Sequence, residues 1–295
     1  VTVAASSRRR AIPAEVLVLG SIASVQVGAA IARHLFDDLG SSGTMLLRVG
    51  LSALAVLAVV RPDVRRWNRT QWLATLALGG CLACMNLVFY AAMQRTPLGI
   101  AVTIEFLGPL LLSLVQTRRA VDLSWLVLAG GGVALLGLDT SSGIPVLGLM
   151  LSFLAGLFWA GYILASANLG RHVQGVDGLG PALLIATVIA LPFGFPGAVH
   201  GVAANPAVLI GGAAVALLSS VIPYGFEIVA LRTIPTRVFG VMMSLEPAAA
   251  AIAGLLFLHQ ALGLREIAAI AAISVASLGV TLGRRSEDLP AAPVD

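Results

Sequence analysis

The chain has 295 residues, 58% of them hydrophobic and only 11% charged, with a mean hydropathy of +0.97. A water-soluble domain needs about a quarter of its residues charged to wet its surface, so a soluble fold is excluded, as are disordered, collagen-like and coiled-coil chains. The net charge of +4 rests on 18 arginines, scattered singly and in twos and threes with no lysine, which is not the clustered basic face of a nucleic-acid binder.

What remains is a polytopic membrane protein. In chain order, ten apolar stretches cover about 14–32, 42–60, 71–93, 97–116, 123–138, 145–167, 179–199, 207–231, 237–258 and 262–283. Each suits a helix crossing a hydrocarbon core of about 30 Å, and none shows the two-residue alternation of barrel strands. The predicted fold is all-α, with ten transmembrane helices. Residues 1–13, with Arg8–Arg10, are expected to be an uncleaved cytoplasmic tail, and 284–295 a second one.

Loop arginines set the predicted orientation. With the N-terminus in the cytoplasm, the inner side holds Arg8, Arg9, Arg10, Arg61, Arg65, Arg66, Arg69, Arg118, Arg119, Arg171, Arg232, Arg237, Arg284 and Arg285, fourteen in all. The outer side holds three, Arg33, Arg95 and Arg265, and Arg48 lies within a span. That bias follows the positive-inside rule and puts both termini in the cytoplasm.

Segment 94–109 aligns with 232–247 at a constant offset of 138, placing Pro97 on Pro235, Leu107 on Leu245 and Pro109 on Pro247. The first helix of each half carries a ridge of small residues at every fourth position: Gly20, Ser24, Gly28 and Ala32, then Gly148, Ser152, Gly156 and Ala160. Such ridges let backbones approach closely in lipid. The chain therefore reads as two five-helix repeats, 14–138 and 145–283. Five is odd, so the second repeat is inverted. Inverted repeats place a substrate site between them near the bilayer midplane in secondary transporters.

Charge inside hydrocarbon is costly and usually functional, so Arg48, Glu105, Glu227 and Glu246 are the first candidates for substrate and proton binding. At about 1.5 Å per helical residue, Glu105 lies roughly 12 Å from Pro97 at the outer end, and Glu246 roughly 13 Å from Arg237 at the inner end. Both sit beside helix-breaking prolines, Pro109 and Pro247, which leave backbone carbonyls without their usual donors. Arg48, about six residues into span two, is placed to pair with Glu105 or to meet a substrate. Glu227 is either a gate residue or a partner of Arg232. Asn86, Tyr224, Gln26, Tyr162 and Trp159 are further candidates for lining the cavity, with helix packing as the alternative for each.

Other signals are weak. Cys81 and Cys84 lie within apolar span three, without companions for redox or metal chemistry. The four histidines fall at loops or span ends and form no metal set. No phosphate loop, dinucleotide fingerprint or protease motif is present, so neither an enzyme nor a nucleotide-driven pump is expected.

Ten spans in two inverted halves resemble the EamA-type branch of the drug/metabolite transporter superfamily. The likeness is strongest in LRTIPTRVFGVMMSLEPAAAAIAGLLFL (231–258), FWAGYIL (158–164) and EFLGPLLLSL (105–114), which are similar to the bacterial threonine/homoserine exporters. This resemblance implies export of small amino acids across the inner membrane, driven by the proton gradient and needing no cofactor. A broader drug or metabolite exporter and a passive facilitator are the alternatives. On this reading the partners are an amino acid, protons and the lipid bilayer. One glutamate would take the substrate amine while Arg48, or a helix N-terminus near a proline, faces its carboxylate. Many members carry Gly-Glu where span nine ends. Here the pair is His259-Gln260, so the acid expected at that outer end is missing.

Overall fold

The computed structural model describes residues 13–116, 120–137, 144–231 and 233–283. Residues 1–12 and 284–295, with their arginines, lie outside this set, as do Arg118, Arg119 and Arg232. Among the described residues thirteen α-helices build ten spans. They are α1 (Ala14–His34), α2 (Phe36–Val60), α3 (Arg69–Met93), α4 (Leu98–Glu105), α5 (Leu107–Gln116), α6 (Ala120–Gly137), α7 (Val146–Gly170), α8 (Leu179–Ala204), α9 (Val208–Ala216), α10 (Ile222–Leu231), α11 (Thr236–Met243), α12 (Glu246–Leu258) and α13 (Leu264–Gly283). The pairs α4–α5, α9–α10 and α11–α12 are single spans broken part-way. Nine spans are 19–26 residues long, and the tenth, α6, has a shorter apolar stretch at Leu123–Leu136.

Local chemistry sets the helix starts. Pro13, Pro97, Pro145 and Pro235 are the N-caps of α1, α4, α7 and α11, all with φ between −53° and −66°. Proline belongs there because the first turn has no use for its missing N–H. Before α3, Asn68 and Gln71 form a capping box, each side chain bonding the other's backbone N–H. Span two starts earlier than its hydropathy predicts. Asp37 and Asp38 occupy the first turn of α2, where acids favour the helix N-terminus. The polar run then continues through Gly40, whose φ of 67° makes a kink that a side chain would resist.

The two halves interlock. Extensive pairings across them are α2 with α8, α3 with α7, α6 with α13, α3 with α8 and its counterpart α2 with α9, α1 with α10, and α4 with α12. Exchanging the halves maps each pairing onto itself or onto another. Small residues allow the close approach: Gly20, Ser24 and Gly28 of α1 meet Phe226, Leu218 and Ser219. In α7, Gly148 and Gly156 meet Thr96 and the Glu105 carbonyl. These are the two ridges expected from sequence. At one end of the bundle Gln71 Nε2 donates to the His172 carbonyl at 2.9 Å, so Arg61, Arg65, Arg66, Arg69 and Arg171 gather on one face. At the other end Leu98 N donates to Gln260 Oε1, Ser41 Oγ to Gln94 Oε1, and His34 Nε2 meets the Phe257 carbonyl.

Candidate functional site

Two proline-marked breaks set the glutamates. α4 and α11 are eight residues each, begin after equivalent prolines, and end 138 residues apart. Glu105 is the last residue of α4 and Glu246 the first of α12, and they are only 8% and 7% exposed. Pro109 has no N–H to give the Glu105 carbonyl four residues back. The carbonyl instead lies against Gly156, so close that a Cβ there would overlap it. Glu246 opens a helix with Pro247 beside it, where the N-terminal end favours a carboxylate.

Arg48 departs from expectation in partner. In α2, which is kinked at Gly40, it lies eight residues beyond the kink, about 12 Å along the axis. It makes no ion pair with Glu105. Its Nη1 donates to Asn86 Oδ1 at 2.9 Å and to the Tyr90 hydroxyl at 3.3 Å, and Nη2 to the Ser219 carbonyl at 3.2 Å. The guanidinium also faces the Tyr90 ring, 5.7 Å from its centroid. A carboxylate is not needed because a cluster of neutral dipoles is already in place. Asn86 is itself fixed by donating Nδ2 to the Leu82 carbonyl at 2.8 Å.

The Ser219 carbonyl is free for a reason. Between α9 and α10 the helix widens into a π turn at Leu217–Val221, and Pro223 follows. Proline 223 cannot donate to residue 219 in an α register, nor to residue 218 in a π register. Both orphaned carbonyls are met from other helices: Ser219 by Arg48, and Leu218 by Ser24 Oγ at 2.7 Å. An arginine and a serine thus complete the backbone of a third helix, as hydrocarbon requires.

One turn further along α10, Tyr224 and Glu227 line a cavity of about 340 Å³ with Tyr162 and Ser166 of α7 and the 173–179 connection. It lies toward the arginine-rich face. Glu227 Oε1 accepts from Ser21 Oγ at 2.6 Å. Its other oxygen makes no hydrogen bond to any described residue. Tyr224 lies within electrostatic reach of Arg48, Tyr162 and Glu227. Glu246 lies within that reach of Glu227, and Glu105 within that of Arg48 and Glu246. Toward the opposite face the bundle is packed: the Phe36 ring lies tilted against Tyr90, centroids 5.6 Å apart, and Met45, Tyr90, Met93 and Leu98 are buried.

The geometry therefore brings Arg48, Asn86, Tyr224 and all three glutamates into one polar zone. Trp159 stands apart, edge-on to Phe106 at 4.9 Å. Gln26 is buried with an unpartnered Oε1. Sequence reading missed Ser21, Tyr90 and the π turn. Pro223 was the available signal for the last of these. Among the described residues no group of His, Cys, Asp or Glu is placed to hold a metal ion, and Cys81 and Cys84 are both free thiols.

Comparison with known proteins agrees with this architecture. Residues 146–282 match the model of the EamA-like transporter family. The threonine/homoserine exporter RhtA of Escherichia coli (strain K12) is 40% identical over 276 residues, covering 92% of each chain. The protein of the same name from Salmonella typhimurium (strain LT2) is 40% identical over 279 residues, again 92% of each. A crystal structure with 16% identity superposes with a TM-score of 0.57, over 93% of this chain and 99% of that one, a likeness of fold. On the strength of near-full-length identity and a matching ten-span helical fold, the chain belongs to the EamA-like transporter family.

Proposed function

We propose that this chain is an inner-membrane secondary transporter that exports small amino acids of the threonine and homoserine kind, by proton antiport with alternating access. The observation that carries the reading is 40% identity over 92% of the chain to proteins named threonine/homoserine exporters. The site is compatible with it. A zwitterion needs an anionic and a cationic partner, and the polar zone holds three glutamates and Arg48. A cavity of about 340 Å³ has room for a small amino acid with its water.

On this reading Glu105 and Glu246 carry the protons. Each is a carboxyl removed from water, which can exchange a proton without a counter-ion leaving with it. Each sits at a helix break whose geometry a rocking motion can alter. The arginine-rich face is taken as cytoplasmic, with both termini on that side. The conformation is then open inward, with the Phe36–Tyr90 layer closing the outer half. Residues 14–138 and 145–283 are the two inverted units that rock.

The deciding experiment is export of labelled threonine and homoserine from cells, with and without a proton ionophore. Export that the ionophore abolishes is expected. Undiminished flux would make the protein a passive facilitator, and export of unrelated compounds with neither amino acid would make it a broader drug or metabolite exporter. In inside-out vesicles with an acidic lumen, labelled threonine is expected to accumulate. Full accumulation by both Glu105→Gln and Glu246→Gln would sink the proton assignment.

A further inference from the structure

We propose that Glu227 is the residue that takes the substrate's ammonium group, with the substrate carboxylate held one helical turn deeper, at the Tyr224 and Tyr162 hydroxyls in front of Arg48. This deepens the amino-acid export reading and rests on it. Of the three membrane glutamates, Glu227 is the one that lines the 340 Å³ cavity; Glu105 and Glu246 are buried at helix breaks. Ser21 Oγ occupies Glu227 Oε1 at 2.6 Å and so orients the carboxylate. Among the described residues Oε2 has no hydrogen-bond partner, so it can accept from a ligand.

The spacing fits a zwitterion. Glu227 and Tyr224 are three residues apart on α10, so their side chains leave the same face with Cβ atoms about 5–6 Å apart. An α-amino acid laid along that face meets an anion at one end and hydroxyl donors at the other. Beyond Tyr224 stands Arg48, whose partners Asn86, Tyr90 and the Ser219 carbonyl are all uncharged. Its Nε is buried without a partner. A cation held by neutral dipoles retains its field, which favours the carboxylate end of the ligand at the deep side. With Glu105 and Glu246 carrying their protons, the site is thus polarised, negative toward the arginine-rich face and positive toward the midplane. It orders the substrate ammonium-outward from the membrane centre. Ser166 of α7 lines the same cavity and offers a hydroxyl for a β- or γ-hydroxyl of the ligand.

The test is binding of labelled threonine to the purified full chain, beside two analogues. 2,3-Dihydroxybutanoate replaces the amine by a hydroxyl, and 1-amino-2-propanol lacks the carboxylate. For Glu227→Gln, threonine affinity is expected to fall about tenfold or more, the scale of one charge-assisted hydrogen bond. Affinity for the amine-free acid is expected to stay unchanged. Equal threonine binding by wild type and Glu227→Gln would overturn the assignment while leaving the export reading intact. A wild-type chain that neither binds nor exports threonine would remove both. Should Glu227→Gln not reach the membrane, Tyr224→Phe decides. It is expected to weaken threonine about fivefold, the scale of a neutral hydrogen bond, and to leave 1-amino-2-propanol unaffected. Equal losses for both ligands, or none, would overturn the proposal.

Discussion

Two of the three broken spans, α4–α5 and α11–α12, start from equivalent prolines and run eight residues before the break, yet their joints differ. In the first, the ladder stays α-helical across the joint, with Phe106 N bonding the Val102 carbonyl at 3.0 Å and Leu110 N the Phe106 carbonyl at 3.2 Å. In the second it tightens toward i→i−3: Ser244 N is shared between the Gly240 carbonyl at 3.3 Å and the Val241 carbonyl at 3.2 Å, and Leu245 N bonds the Met242 carbonyl at 3.0 Å. The same offset that matches the prolines sets Gly108 against Glu246. Gly108 lies directly on the Gly156 carbonyl, so the first joint is sealed backbone to backbone. Glu246 instead brings a carboxylate to the polar zone. One fold has used one position twice, as a weld in the first half and as a functional group in the second.

The largest expected effect tests that contrast directly. A Cβ at Gly108 would run into Gly156, backbone that cannot move aside as a flexible side chain would. Gly108→Ala is expected to cost about 3 kcal/mol in thermal unfolding of the detergent-purified protein. Gly131→Ala, where nothing lies within 4 Å, should be neutral or gain about 0.5 kcal/mol from helix propensity. Glu246→Ala is expected to be no worse than neutral, since it relieves a buried carboxyl of its desolvation. Equal losses for Gly108→Ala and Glu246→Ala would break the distinction between weld and functional group.

The prolines give the next largest effect. An alanine at 109 can donate to the Glu105 carbonyl and complete a ladder that is otherwise α-helical. Pro109→Ala is therefore expected to gain about 1 kcal/mol. Proline 247 occupies the first turn of α12, where no donor is wanted. Pro247→Ala is expected to lose about 0.5 kcal/mol, through a more flexible unfolded chain. Opposite signs sharpen the comparison. The same sign for both would mean that the joints are mechanically alike.

Much of this was legible because hydrophobicity, proline and arginine act locally. The ten spans, the ridges on α1 and α7 and the matched Pro97 and Pro235 could all be read from residue type and spacing. Glu105, Glu227 and Glu246 stood out because a carboxyl in an apolar run has few innocent reasons. What failed was partner choice. The Arg48–Glu105 pair was drawn from charge and depth alone, but the guanidinium is taken by Asn86, Tyr90 and a carbonyl freed by Pro223. Three helices distant in sequence must pack before that arrangement exists. The start of span two was misjudged for a related reason. Phe36–Gly40 is polar enough to read as loop, and its helix is held by tertiary packing of Phe36 and Leu39, both buried.

The ends of these spans away from the arginine-rich face give the smallest effects and account for the His259-Gln260 pair. Gln260 Oε1 accepts from Leu98 N at 2.9 Å, so a residue of the second half caps the first half-helix of the first. Gln260→Ala is expected to cost about 1 kcal/mol, as loss of an N-terminal cap does. The acid common in the family at this place would perform the same capping, and Gln260→Glu is expected to gain about 0.5 kcal/mol by adding charge at a helix N-terminus. His259 just before it has φ 54° and ψ 31°, left-handed, at the end of α12. Glycine takes that conformation without the penalty a side chain brings. His259→Gly is therefore expected to gain roughly 0.5–1 kcal/mol. The Gly-Glu pair is then read physically as a stop for one helix and a start for another. In this chain His259 makes the stop under strain, while Gln260 keeps the cap without the charge. If His259→Gly and Gln260→Glu leave the melting temperature unmoved while Gln260→Ala lowers it, the hydrogen bond alone joins the two halves at this end.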